Sequence, residues 1–137
     1  MTKKTTWSVC STVNEPLYII ERFVEHYRKM GAQQVALFLD TDTTEVVDRF
    51  QGDTFVKCFP RSEWPVRDKS ASHENTQSNN YRHYIARFCS TDWVGHVDGD
   101  EHLTNTSHKK TIADIFAGVG TQITAVRFLP AEVVFTE

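Results

Sequence analysis

The chain has 137 residues, 39% hydrophobic and 24% charged, which supports one domain with its own core and excludes a disordered chain. A net charge of −3 excludes any general attraction to nucleic acid or anionic lipid, so a polyanionic ligand needs a local site. Three separated cysteines, Cys10, Cys58 and Cys89, form no C-x-x-C pair and read as free thiols of a reducing compartment. The first residues lack a long apolar stretch and a small-residue cleavage site, and no segment approaches the roughly 20 apolar residues that span a bilayer. The expectation is a cytoplasmic protein with no membrane segment and no nucleic-acid partner.

Trp7 to Val13 is rich in β-formers and predicts a first strand. Asn14-Glu15-Pro16 then opens a helix, with Asn14 as N-cap and Pro16 in the first turn. Leu17, Ile20, Val24 and Tyr27 recur at helical spacing, Ile19, Phe23 and Met30 widen the stripe, and Gly31 is placed to close the helix in a left-handed cap. Residues 34–39 form a continuous apolar run, as expected of a strand covered on both faces. A short helix over 43–50 and a third strand over 55–59 follow. Residues 61–72, with Pro65 and mixed charges, read as a loop. A helix over 72–89 places Gln77, Tyr81, Tyr84, Ile85 and Phe88 on one face. A fourth strand over 93–97 runs into Asp98-Gly99-Asp100-Glu101. Ser107 is a candidate cap for a helix through Ile112, Ile115 and Phe116, stopped by Gly118. Residues 122–128 predict a fifth strand and 132–136 a sixth.

The β-α-β-α-β order predicts an α/β fold: a doubly wound, mostly parallel sheet in a three-layer α/β/α arrangement. The whole chain, 1–137, reads as a single domain. It ends at Glu137, two residues past the apolar run Val133-Val134-Phe135, so the expectation is a domain truncated from a longer protein.

Ligands of open α/β sheets bind beyond the carboxyl ends of the strands. Three places qualify: Thr12 to Glu15, Asp40 to Asp42, and Asp98 to Glu101. The last has three carboxylates in four positions. Two like charges about 4 Å apart repel by roughly 4 kcal/mol at an effective dielectric near 20, so solvation, protonation or a cation must offset them. Carboxylate oxygens suit Mg²⁺ or Mn²⁺, and Gly99 lets the backbone turn so that Asp98 and Asp100 reach one ligand. Asp-Gly is also a turn signal, and a solvated acidic turn explains the same residues. Capping alone explains Asn14-Glu15, and Asp40 reads equally as an N-cap. The six histidines show no H-x-x-x-H spacing and read as surface or packing residues.

Cys10-Ser11-Thr12-Val13-Asn14-Glu15, then Leu17 to Gly31, then Val35 to Asp40, resembles the opening of family 2-like glycosyltransferases with a GT-A fold, which is Rossmann-like. Gln77-x-x-x-Tyr81 and the run from Asp92 to Leu103 resemble the strand and D-x-D-E segment of the family 2 or 92-like subgroup. The resemblance covers roughly residues 7 to 130. It implies the nucleotide-sugar-binding half of a metal-dependent, inverting enzyme that moves a sugar from a nucleoside diphosphate, with a UDP-sugar favoured, to an acceptor glycan or other hydroxyl. Thr12, Asn14 and Glu15 would border base and ribose. Asp40 would accept a hydrogen bond from the base. Asp98 would approach the ribose or the metal shell, Asp100 would ligate the Mn²⁺ or Mg²⁺, and Glu101 would give structural support. The family has an aromatic residue where this chain has His102, and an Asn/Ser-rich turn where this chain has Asp40-Thr41-Asp42-Thr43. The resemblance places the general base in the half that follows the D-x-D segment, so no catalytic residue is named in this chain. Two other functions fit an α/β domain: a non-catalytic nucleotide-binding module, and a receiver-like signalling domain. The second needs an acceptor Asp after the third strand, where this chain has Phe59-Pro60.

Overall fold

The computed structural model describes residues 3–66, 70–107 and 109–131. Four strands, β1 (Trp7–Val13), β2 (Val35–Leu39), β3 (Val56–Pro60) and β4 (Trp93–His96), form one sheet in the order β3-β2-β1-β4. All three pairings are parallel, with Val13 opposite Leu39, Leu39 opposite Pro60 and Cys10 opposite His96. The fold is therefore α/β, as the element order predicts. β1 and β2 are buried along their whole length because each has a strand on both sides. This is the reason β2 reads as an unbroken apolar run rather than an alternating one.

Alternation along the strands divides the core. Trp7, Val9, Val13, Val35, Leu37, Leu39 and Val56 pack with helix α1 (Leu17–Met30), Val46 of α2 (Glu45–Arg49) and Ile112 and Phe116 of α4 (Ile112–Ala117). Cys10, Ala36, Phe38 and Phe59 pack with Trp64 and with Tyr84 of α3 (His73–Arg87). A period-2 strand sends neighbouring residues to opposite faces, so the two clusters lie on either side of the sheet. The amphipathic stripe of α1 buries Ile20, Phe23, Val24 and Tyr27, and Gly31 closes the helix at φ 91°, where only glycine avoids a Cβ penalty.

Several local expectations are corrected. Pro16, not Asn14, is the N-cap of α1, and no side chain caps it; the Pro16 carbonyl accepts from the Ile20 N–H at 3.2 Å. Asn14 stays at the end of β1, its N–H donating to Glu15 Oε2 at 2.9 Å. Thr111, not Ser107, caps α4, through a reciprocal pair with Asp114. Ser107 Oγ instead accepts from the Lys109 and Lys110 N–H groups and closes a turn. In α3, Ile85 and Phe88 are 44% and 40% exposed, while Asn80 and Tyr84 are buried, so the inward face is rotated from the expected one. The reason is polar pairing: the Tyr84 hydroxyl donates to Gln34 Oε1 at 2.8 Å, and Asn80 Nδ2 donates to Thr12 Oγ1 at 3.1 Å. Residues 122–128 form no strand; they leave Ile123, Val126 and Phe128 exposed without a ladder partner. The sixth strand, over 132–136, falls outside the described residues.

Tyr27 ties α1 to the loop after β4. Its hydroxyl donates to the Glu101 carbonyl and accepts the Leu103 N–H, each at 2.9 Å. Its ring packs edge-on to Trp7 and Phe23. The hydroxyl proton is held, since burial pushes its pKa up to about 12. Tyr27→Phe retains the ring and removes both bonds, leaving the Leu103 N–H without a partner. The variant is expected to lose about 1–3 kcal/mol of unfolding free energy in urea titration. It is also expected to show faster amide exchange at Leu103 than elsewhere in the core.

Candidate functional site

The strand order sets where a site can form. From β1 the chain builds outward through β2 and β3, then crosses to place β4 on the other side of β1. α1, which leaves β1, and α3, which leads into β4, pack in different core clusters, and a crevice opens at the carboxyl ends of these two strands. A groove of about 280 Å³ lies there, lined by Thr12, Val13, Asn14, Glu15 and Asp40 from the first two strand ends, Asp98 and Asp100 from the loop after β4, and His73 and Gln77 from α3. Every residue expected at a nucleotide or metal site, namely Thr12, Asn14, Glu15, Asp40, Asp98 and Asp100, borders this one groove. Asp98 and Asp100 are exposed to solvent, belong to a turn closed by the Glu101 N–H on the Asp98 carbonyl, and line the groove.

Gly99 makes the crowding feasible. A Cβ built there would lie 2.5 Å from Glu15 Oε2 and 2.8 Å from Val13 Cγ1. Its backbone φ is not positive, so contact rather than backbone conformation demands glycine. The Asp98 N–H donates to Glu101 Oε2, and the Glu101 N–H donates to the Asp98 carbonyl, both at 3.0 Å. Glu101 thus closes the turn with its own carboxylate. Gln77 Nε2 donates to Asp98 Oδ1 at 3.3 Å. Asp100 has no hydrogen-bond or ion-pair partner among the described residues.

Asp40 is engaged differently from the expectation. It does not cap α2, whose N-cap is Thr44. Its Oδ1 accepts from Arg61 Nε at 2.8 Å and also from Arg61 Nη2. The same guanidinium lies 3.7 Å from Asp42. The bond to Asp40 is the main reason the Arg61 pKa is raised. Arg61 follows β3 directly and so stands on the same rim; nothing in its local sequence marks it.

Among the described residues, no three His, Cys, Asp or Glu side chains form a ready metal cage. The donors that do border the groove are carboxylate oxygens, and Asp100 is unpartnered. That set fits a hard cation which keeps waters and takes further ligands from a phosphate, the usual mode of Mg²⁺. It does not fit zinc, which demands a closed nitrogen and sulfur shell.

His102 occupies an aromatic position in practice. Its ring stacks on His26 with centroids 4.6 Å apart and 14° between planes, and Phe23 lies 6.4 Å away. Burial and then His26 lower its pKa. His96 stacks on Tyr81 at 4.9 Å, and burial lowers its pKa against the opposing pull of Asp98 and Glu101. A second groove, about 380 Å³ between α1 and α2, has its acidic residues paired: Asp53 with Arg28 at 2.6 Å, Glu25 with Arg28 at 3.7 Å and Glu21 with Arg49 at 3.6 Å. It therefore lacks the unpaired acidic charge of the rim groove.

No protein-family model, curated protein or solved structure matches this chain. No helix among the described residues is long and apolar enough to cross a membrane.

Two residues of the groove wall, His73 and Gln77, were not expected from the sequence as site residues, and neither was Arg61, which holds the wall residue Asp40. His73, Gln77, Asn80 and Tyr84 recur at 4, 3 and 4 positions, which places them along one face of a helix. That spacing is a usable signal, but it is polar, and an apolar-stripe search passes over it.

Gly99→Ala is expected to cost about 1–3 kcal/mol in urea unfolding, because the new methyl must displace both Glu15 and the branched Val13. Glu15→Ala in the same background is expected to recover only part of the loss, since Val13 remains. For pH, the two lowered histidines act in one direction. The folded state keeps His96 and His102 neutral below their ordinary value near 6.5, whereas the unfolded chain protonates there. The unfolded state then binds more protons, so stability is complete above about pH 6.5 and falls as pH drops below it. Urea midpoints are expected to be lower at about pH 5.5 than at about pH 7.5, and His96→Gln is expected to shrink that difference.

Proposed function

We propose that this chain is the nucleotide-sugar-binding part of a metal-dependent glycosyltransferase with a GT-A-like, three-layer fold, taking a UDP-sugar as the favoured donor. The observation that carries this reading is the groove at the carboxyl ends of β1 and β4, where both acidic strand-end segments line one space. A sheet of order 3-2-1-4 with a crevice beside its first strand is the arrangement that receives dinucleotides in doubly wound folds, whereas receiver-like domains use the order 2-1-3-4-5. The resemblance of the segments around Thr12, Asp40 and Asp98 to family 2-like enzymes then selects among nucleotide ligands.

In this reading Thr12, Asn14 and Glu15 border the base and ribose. Asp40 accepts from the base, its Oδ1 already fixed by Arg61 and its second oxygen available. Asp98 and Asp100 present the carboxylates that hold Mn²⁺ or Mg²⁺ against the diphosphate. When bound, such a cation neutralises charge developing on the diphosphate leaving group. The chain's own part is placement: Gly99 lets the two acidic segments meet, and Glu101 keeps the Asp98 backbone turned. Stabilising the departing diphosphate more than the bound donor is what accelerates transfer. The anomeric carbon passes through an oxocarbenium-like state, and the inverting reaction takes its general base from outside the residues assigned here.

Calorimetry of UDP binding with and without Mn²⁺ tests this. Wild-type protein is expected to bind UDP more tightly with Mn²⁺. Asp100→Ala is expected to lose at least about tenfold, or about 1.4 kcal/mol, of the affinity measured with metal. Equal affinity in all four measurements would remove the proposed site.

A further inference from the structure

Asp98 and Asp100 are both acidic, both exposed and two residues apart, yet the structure treats them unequally. Asp98 is held twice: its N–H by Glu101, and its carboxylate Oδ1 by Gln77 Nε2 at 3.3 Å. Asp100 has no such partner among the described residues. Gln77 belongs to α3, and one turn later Asn80 donates to Thr12 at 3.1 Å. A single helix face therefore supplies one amide donor to the end of β1 and another to the loop after β4, the two sides of the crevice. Asn80 is 1% exposed, so this face of α3 is anchored and Gln77 is delivered from a fixed base.

The chemistry of the donor matters. A carboxylate that faces other carboxylates swings toward solvent unless something holds it. A lysine or arginine would hold it and also cancel the charge that attracts a cation. A carboxamide holds it through an N–H and adds no charge. The groove wall has no lysine or arginine, and Arg61, outside that wall, is paired with Asp40.

We propose that Gln77 is the positioning residue for the divalent cation, holding the Asp98 carboxylate toward the groove while leaving the site's negative charge intact. This rests on the glycosyltransferase reading of the same groove. Partners that orient a ligating group without touching the metal commonly change metal affinity by about 10–100-fold when removed.

The test measures the Mn²⁺ concentration at half-effect with UDP saturating, in wild type, Gln77→Met and Gln77→Lys. Methionine keeps the length of the side chain and loses the donor. Lysine keeps a donor and adds a positive charge. The half-effect Mn²⁺ concentration is expected to rise roughly tenfold or more in Gln77→Met and further in Gln77→Lys. The urea midpoint of Gln77→Met is expected to match wild type while its half-effect Mn²⁺ concentration rises, a separation that a merely structural role would not produce. If wild type responds to Mn²⁺ and Gln77→Met matches it, this proposal falls and the nucleotide-sugar reading stands. If Gln77→Lys binds Mn²⁺ as wild type does, the proposal falls equally. If wild type itself shows no Mn²⁺ dependence, both fall together.

Discussion

Negative charge gathered where β1 and β4 part company is the constraint around which this molecule is arranged. Glu15 and the loop after β4 meet so closely that one methyl at Gly99 would intrude on the carboxylate. Such crowding is unfavourable in an empty, dry site and tolerable where solvent or a cation offsets it. The protein meets it with an open groove, lets Asp98 and Asp100 stay exposed, and turns them toward a common space.

The rest of the structure holds that loop in place from behind. Tyr27 grips its backbone at Glu101 and Leu103 from α1, and His26 Nε2 lies 2.6 Å from the Leu103 carbonyl. The His26–His102 stack adds an apolar contact beside them. From the opposite face, α3 reaches Asp98 through Gln77. The loop is thus held by residues of both α1 and α3, with Asp98 and Asp100 left exposed. A core of close-packed aromatic and β-branched residues gives these anchors their rigidity: Phe38 stacks on Phe59 at 4.4 Å, and Trp93 on Phe116 at 4.9 Å.

Polar groups inside this core show where the packing is under demand. Ser8 is satisfied by Thr91 at 2.8 Å, and Thr12 by Asn80. Trp7 Nε1, Ser11 Oγ and Asn80 Oδ1 have no partner among the described residues. A buried polar atom without a partner carries a cost of about 1–3 kcal/mol. Ser11 and Asn80 both lie close in the chain to residues of the rim groove. Trp7, by contrast, stands at the start of β1, away from the rim.

The sequence by itself determined the elements whose signals are local. The apolar run of β2, the stripe of α1 and its Gly31 cap, and the alternation of β and α need only neighbouring residues to be read. It also marked Thr12, Asn14, Glu15, Asp40, Asp98 and Asp100, because acidic and polar residues directly after buried strands stand out against their surroundings. What it left open depends on partners far along the chain. The Arg61 guanidinium meets Asp40 across 21 positions, Gln77 meets Asp98 across 21, and Tyr27 meets Glu101 across 74. The inward face of α3 was misjudged because Asn80 is buried by a hydrogen bond to β1, which no propensity encodes. Residues 122–128 have the β-formers of a strand but pair with neither edge strand of the sheet, β3 or β4, and a strand exists only when a neighbour supplies its hydrogen bonds. Only the tertiary structure decided that the three strand ends face one groove, because strand order is fixed by non-local pairing and not by any single segment.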